Sequence, residues 1–198
     1  AHRGPWLSME DPAMAAAQER VRHASLQELI EQLLQGSPSE KTNAALALQF
    51  LSLNTDKALA IVHTRNALRA LLDVARSGGE EAQEYAAGAF AHLAVNEEAE
   101  LAIARTEGVL ETLAGLLCSD PDTVGEAVRL EACAALENLS FAPASAEAVS
   151  RLPQVLHAAM AMLCRGPQHT MERAAGLVQN LAAVADNRLV IARTPGVL

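Results

Sequence analysis

Asn138 and Asn180 sit at the same place in two echoing stretches, Ala-Cys-Ala-Ala-Leu-Glu-Asn-Leu-Ser (132–140) and Ala-Ala-Gly-Leu-Val-Gln-Asn-Leu-Ala (174–182). A carboxamide offers both a donor and an acceptor, so a register of such amides suits recognition of unpaired backbone groups. Residues suited to covalent, acid–base or metal chemistry are present but unorganised. His2, His23, His63, His92, His157 and His169 are scattered, with no HExxH and no pair at i, i+4. Glu80, Glu81 and Glu84, like Glu97, Glu98 and Glu100, gather where a helix is expected to begin, and capping explains them without catalysis. Cys118, Cys133 and Cys164 are odd in number and share no CxxC spacing, which points to a reducing compartment without a structural disulfide or zinc site. Cys133 lies in an Ala-rich stripe, and all three read as small core or rim residues rather than nucleophiles. No nucleophile elbow, phosphate loop or dinucleotide fingerprint occurs. The expectation is a protein that is not an enzyme, with no cofactor and no metal.

The elements that position the amides recur. The same helix pattern appears as Ala-Ala-Leu-Ala-Leu-Gln-Phe-Leu-Ser (44–52) and Ala-Ala-Gly-Ala-Phe-Ala-His-Leu-Ala (86–94). Leu51, Leu93, Leu139 and Leu181 step by 42, 46 and 42 residues, and Leu26, Leu68, Leu110, Leu156 and Leu198 by 42, 42, 46 and 42. Two unrelated helices sharing one set of offsets are the signature of a tandem repeat. Hydrophobic residues make up 51% of the chain but aromatics only 3%, so the apolar content is Ala and Leu, which suits close-packed helices better than a β-sandwich. Leu26, Leu29, Ile30, Leu33 and Leu34 form one buried helical stripe, and residues 13–23 read as a preceding helix.

The joints follow the same rule. Gly36 is expected to stop a helix in the left-handed conformation, after which Ser37 caps the next one, with Pro38 in its first turn and Glu40 three residues on. Ser77-Gly78-Gly79, Ser119-Asp120-Pro121 and Gly166-Pro167 occupy corresponding places. The extra four residues of the 46-residue step fall at 118–127, which is expected to protrude. Asn66, Gly108, Gln154 and Gly196 are equivalent at the other joint. Gln tolerates positive φ poorly, and Pro153 precedes it, so the third copy is expected to turn by a different backbone route. Met160, Met162 and Met171 read as packing residues.

Three helical segments per unit of about 42 residues resemble the armadillo-repeat family, to which beta-catenin and importin alpha belong. The resemblance rests on Ile-Ala-Arg-Thr-Glu-Gly-Val-Leu (103–110) and on 86–94, and extends over residues 19 to 198. It implies an all-α, right-handed α-solenoid of about four units, whose third helices line a concave groove holding an extended peptide. In the family an Asn near the end of each third helix bonds the peptide backbone, and in importin alpha a Trp one turn earlier packs the peptide's side chains. The corresponding ladder here is Phe50, His92, Asn138 and Asn180, of which Phe50 has no hydrogen-bonding group. One turn earlier stand Leu46, Gly88, Ala134 and Gly176, with no Trp, so the importin pocket is absent and nuclear import is not implied. The small residues are expected to widen or flatten the groove floor. Glu84, Tyr85, Leu130, Glu131, Glu137, Glu172, Arg173 and Gln179 follow as groove neighbours by helical phase. Asn138 and Asn180 are open to two roles, contact with a ligand peptide or internal bridges between repeats. His92 reads as a groove-facing surface histidine, and the four carboxylates either hold partner Lys or Arg side chains or are simply solvated.

Residues 1–12 are read as an irregular arm or remnant and 13–198 as the solenoid, with units at about 13–53, 55–95, 97–141 and 144–184 and a partial one at 187–198. That last unit stops on an apolar start, which suggests a piece of a longer protein and self-association through the open end. A net charge of −9 argues against nucleic acid and for basic or apolar peptide partners. No apolar run is long enough to span a membrane, and no secretory signal opens the chain, so the cytoplasm is expected, with the nucleus as alternative. The function expected is non-catalytic binding of an extended partner segment. The alternatives are a structural or regulatory segment that docks within its own chain or self-associates, and a sensor domain of a larger protein.

Overall fold

In a computed structural model, residues 12–152 and 154–193 are described, and among them regular structure is helical throughout. The order is α1 (Pro12–His23), α2 (Leu26–Gln35), α3 (Pro38–Ser52), α4 (Thr55–His63), α5 (Ala67–Ser77), α6 (Glu80–Leu93), α7 (Glu97–Ala104), α8 (Val109–Cys118), α9 (Glu126–Leu139), α10 (Pro143–Ser150), α11 (Val155–Arg165), α12 (Gln168–Leu181) and α13 (Ala185–Arg193). The chain is an all-α solenoid. The long helices α3, α6, α9 and α12 stack on one another in a single row, each also packed on the helix before it.

Alanine makes the row. Residues 44–48 of α3, 86–87 and 89–91 of α6 and 132–136 of α9 are buried on every side of their helices, as expected for helices apolar all round. Small side chains let the axes approach closely. Leu93, Leu139 and Leu181 are all fully buried near the ends of α6, α9 and α12, in the equivalent settings their spacing predicts; Leu51 is only half-buried, where the row begins. Each fully buried leucine is worth about 1.5–3 kcal/mol.

The caps match the sequence where polar side chains do the work. Ser37 and Glu40 form the expected capping box, and Ser25 with Glu28 forms another that starts α2. Asn54 and Asn96 cap α4 and α7. Two backbone expectations are corrected. Gly36 is extended (φ −68°, ψ 162°), not left-handed, as are Gly78 and Gly166. Glycine is needed there for close approach: a Cβ would collide with Gln32 O at Gly36 and lie 2.6 Å from Val74 O at Gly78. α8 ends one position earlier in the register, at Ser119, whose amide bonds the carbonyl three residues back instead of four, and Asp120 stands where the other copies have glycine. Gln154 does take the left-handed conformation (φ 69°), as Asn66 (φ 66°) and Gly108 (φ 87°) do. The repeat geometry therefore imposes one turn on all three, at about 1–2 kcal/mol for the glutamine. Gly196, Leu198, Pro153 and the arm up to residue 11 lie outside the described residues.

In the longer joint after α8, Asp120, Pro121, Asp122 and Thr123 are exposed. Met160 and Met162 are buried, but Met171 is 39% exposed on α12 and is no part of that packing. The short first helices are tied across repeats by polar bonds: Ser145 Oγ donates to the buried Glu100 at 2.8 Å, and Asn187 Nδ2 to Ser150 Oγ at 2.7 Å. Glu100 is thus a buried acceptor between repeats, beyond its place at a helix start.

Candidate functional site

The row of third helices presents the residues picked out by repeat register. Asn138 Nδ2 donates to Ala91 O at 2.7 Å, and Asn180 Nδ2 donates to Glu137 O at 2.9 Å. His92 Nδ1 lies 3.2 Å from Gln49 O, donating in the tautomer protonated there. Each therefore reaches the carbonyl one residue before the preceding ladder position. The last carbonyls of a helix lack the amide four residues on, and the next repeat supplies a bond, alongside Ser52 Oγ at Gln49 O (2.6 Å) and Ser140 N–H at Glu137 O (3.2 Å). Both asparagines therefore act as internal bridges between repeats. Each asparagine keeps its Oδ1 and a second N–H for other use, since among the described residues no further bond engages them. Phe50, at the start of the ladder, is half-buried and offers no such group.

The positions one turn earlier correct the expectation of a widened floor. A Cβ on Gly88 would collide with Nε2 of Gln49 and lie 2.8 Å from its Cδ. A Cβ on Gly176 would collide with Oε1 of Glu137 and lie 2.6 Å from its Cδ. The glycines are occupied notches, each filled by the long side chain that precedes the ladder residue of the repeat before. Where that residue is Ala91, the position opposite in the next repeat is Ala134. Gln49 was not singled out from the sequence. Its signal was there in the shared offset of Gln49, Ala91, Glu137 and Gln179.

Charge is distributed unevenly over this face. Arg173 Nη1 donates to Glu137 Oε2 at 3.2 Å, both side chains about one-quarter exposed or less. Burial still pushes Glu137 above the ordinary carboxylate range, with Arg173 opposing it. Glu131 is only 7% exposed, and its carboxyl is pushed up to about 7 by burial first and by Glu84 second, against a pull from Arg173. Burial, then Glu81 and Glu80, raise Glu84. Burial also lowers His92, partly offset by the Gln49 carbonyl. Gln49 is 3% exposed and its Oε1 has no hydrogen-bond partner. Tyr85 is half-buried and donates to Glu81 at 3.1 Å. Leu130 and Ala134 are buried beneath the face, whereas Glu172 and Gln179 are exposed on α12, Glu172 accepting from Gln168 at 3.1 Å.

None of this arranges a reacting centre. Cys133 is fully buried, its thiol pushed up to about 12 by burial and then by Glu137, so the nucleophilic thiolate is suppressed. Among the described residues no cluster of His, Cys, Asp and Glu is grouped to hold a metal, and no helix is long and apolar enough to cross a membrane.

Solved structures share the architecture. A computationally designed armadillo repeat protein for modular peptide recognition superposes with a TM-score of 0.75 at 21% identity, over 88% of this chain and 74% of that one. The fold is that of the armadillo repeats. A second designed armadillo repeat protein, in complex with the peptide (KR)4, gives a TM-score of 0.72 at 21% identity over 84% of this chain and 68% of that one. The armadillo repeats only protein of Plasmodium falciparum gives 0.66 at 20% identity over 91% and 85%. No protein-family model matches the chain, and no curated protein sequence does.

Proposed function

We propose that the armadillo row α3–α6–α9–α12 is a non-catalytic binding face for an extended segment of a partner protein. The observation that carries this reading is the pair Asn138 and Asn180. Each is fixed by one bond to the preceding helix and retains a carboxamide oxygen and N–H in repeat register. An immobilised amide loses little rotamer freedom on binding, and amides spaced by repeat suit the unpaired backbone groups of an extended chain. Support also comes from the fold's use in designed proteins made for peptide recognition, one of them in complex with (KR)4. Glu84, Glu131, Glu137 and Glu172 on the same face, with a net charge of −9, favour a basic segment. His92 extends the ladder by one bond, while Phe50, Gly88, Ala134, Leu130, Tyr85, Arg173, Gly176 and Gln179 shape the face.

The test is a peptide-array screen of wild type against Asn138→Ala/Asn180→Ala, with circular dichroism to establish that both are folded. Loss of binding by the folded double variant is expected; equal binding removes the ladder.

One observation favours a second reading, self-association along an edge. Leu53, Val95 and Phe141 follow the third helices at the repeat offsets and are 55%, 73% and 84% exposed. A sedimentation coefficient that rises with concentration and falls in Phe141→Ser would establish it.

A further inference from the structure

We propose that the cleft between the end of α8 and the start of α11 binds a small organic acid. Arg129 and His157 hold its carboxylate, and Cys118, Pro121 and Ala158 contact its apolar body. The site stands apart from the binding face proposed above and does not depend on it.

One joint of the array is filled and the next is open. Between α5 and α8 the side chain of Arg76 occupies the space. Its Nη2 donates to Thr112 Oγ1 at 3.4 Å and lies 2.6 Å from the point a Cβ on Gly108 would occupy. In repeat register, Arg76 is replaced by Cys118, Thr112 by Ala158 and Gly108 by Gln154 at the joint between α8 and α11. A long cation and its hydrogen-bond partner thus give way to a thiol and a methyl group. What remains is a cleft of about 540 Å³ that also borders on the loop at Asp120 and Pro121 and on Arg129 of α9. Small-molecule sites occupy roughly 300–1,000 Å³ and combine apolar walls with a few placed polar groups.

The polar groups here are basic. Arg129 stands in the register of Gln83, and His157 in that of Glu111. Both line the cleft, Arg129 half-buried and His157 exposed at its rim. Arg129 Nε donates to Leu117 O at 3.3 Å, as Gln83 Nε2 does to Ala75 O at 3.1 Å, which anchors the guanidinium. Among the described residues no further bond engages its two terminal nitrogens, and none engages the His157 ring. Burial raises the Cys118 thiol while Arg129 opposes the shift, so the guanidinium charge is felt inside the cleft.

An anchored guanidinium with free terminal N–H groups matches the two oxygens of a carboxylate, and an imidazole adds a third donor. Among the described residues Asp120 is the one carboxylate of the lining, and its Oδ1 accepts from the Asp122 amide at 2.9 Å within its own loop. A bare inorganic anion would leave Pro121 and Ala158 uncontacted, whereas an acid on a short apolar body uses them as well.

The probes are phenylacetate, phenylacetamide and inorganic phosphate, titrated into isotope-labelled protein and followed by the amide NMR shifts of residues 118–120 and 154–158. Phenylacetate is expected to give saturable shifts there, with phenylacetamide and phosphate each about tenfold weaker. Arg129→Lys, which keeps the charge without the fork, should weaken phenylacetate several-fold, and so should His157→Ala. Cys118→Arg restores the residue of the filled joint and should abolish binding. Ala158→Phe, which fills the cleft from the other wall, should do the same, with thermal unfolding establishing that each is folded. Asn138→Ala/Asn180→Ala should bind phenylacetate as the wild type does. Equal affinity for the acid and the amide, or binding that persists in a folded filled variant, overturns the site. Shifts with phosphate alone, or with no probe, overturn it too, and every one of these outcomes leaves the peptide-binding reading standing.

Discussion

The two glycine notches are the same device carried to different ends. Over Gly176 the intruding residue is Glu137, and Arg173 closes the arrangement with a hydrogen-bonded ion pair. Over Gly88 the intruder is the neutral Gln49, its Oε1 is orphaned, and the buried Glu131 carboxyl of the next repeat stands opposite, pulled by Arg173 but in no ion pair. One junction closes its polar groups within the chain; the other leaves the Gln49 amide oxygen without a partner. A repeat array can therefore keep its architecture while the polar matching differs from one junction to the next.

Substitutions can break or sharpen that contrast. The largest effect is expected from Glu131→Gln. The folded-state titration of Glu131 lies near 7, above its ordinary value of 4.5. Its contribution is therefore fully present below pH 4.5 and is lost as the pH rises through about 7. At pH 8 the wild type forfeits about 3 kcal/mol through this group. Urea unfolding at pH 5 and pH 8 should show the variant gaining most of that at pH 8 and little at pH 5. His92, whose folded form disfavours charge, acts in the opposite sense below pH 6.5 and should remain visible in the variant.

Next comes Tyr85→Arg, which places a guanidinium in the register of Arg173 and makes the first notch resemble the second. It should draw Glu131 back toward the ordinary carboxylate range and recover about 2 kcal/mol of the deficit at pH 8, read by the same unfolding curves. Arg173→Met does the reverse, opening the finished notch at a cost of about 1–2 kcal/mol, with the loss reduced at high salt. Smallest are the single bridges. Asn138→Ala should lower stability by about 1 kcal/mol in denaturant titrations, through the Ala91 carbonyl it leaves unpaired, and Asn180→Ala by less, since Glu137 O keeps the Ser140 N–H.

The sequence displayed the architecture because burial is periodic. Leucines that must meet an equivalent neighbour recur at 42 or 46 residues, and Ser37 with Glu40 announces a helix start by a local chemical rule. What it concealed was set by packing between repeats. Gly88 and Gly176 looked like open floor because a glycine has no side chain to report what fills the space above it. Glu131 shared a helical phase with exposed carboxylates, and only the stacking of α6, α9 and α12 shows it to be buried. Gln154 ran against local preference, yet the joint takes the same left-handed turn as at Asn66 and Gly108. Phase along a helix locates a residue's side of the cylinder, not what lies against it.

The three ladder bridges run one way only. Each ladder residue reaches back to the repeat before it, so under a pull along the stack they act like rungs loaded in series. The joint held by His92 depends on a tautomer and spans 3.2 Å, against 2.7 Å and 2.9 Å for the two asparagines. Stretched from its ends, the array should lose the His92 bridge between α3 and α6 before either asparagine bridge.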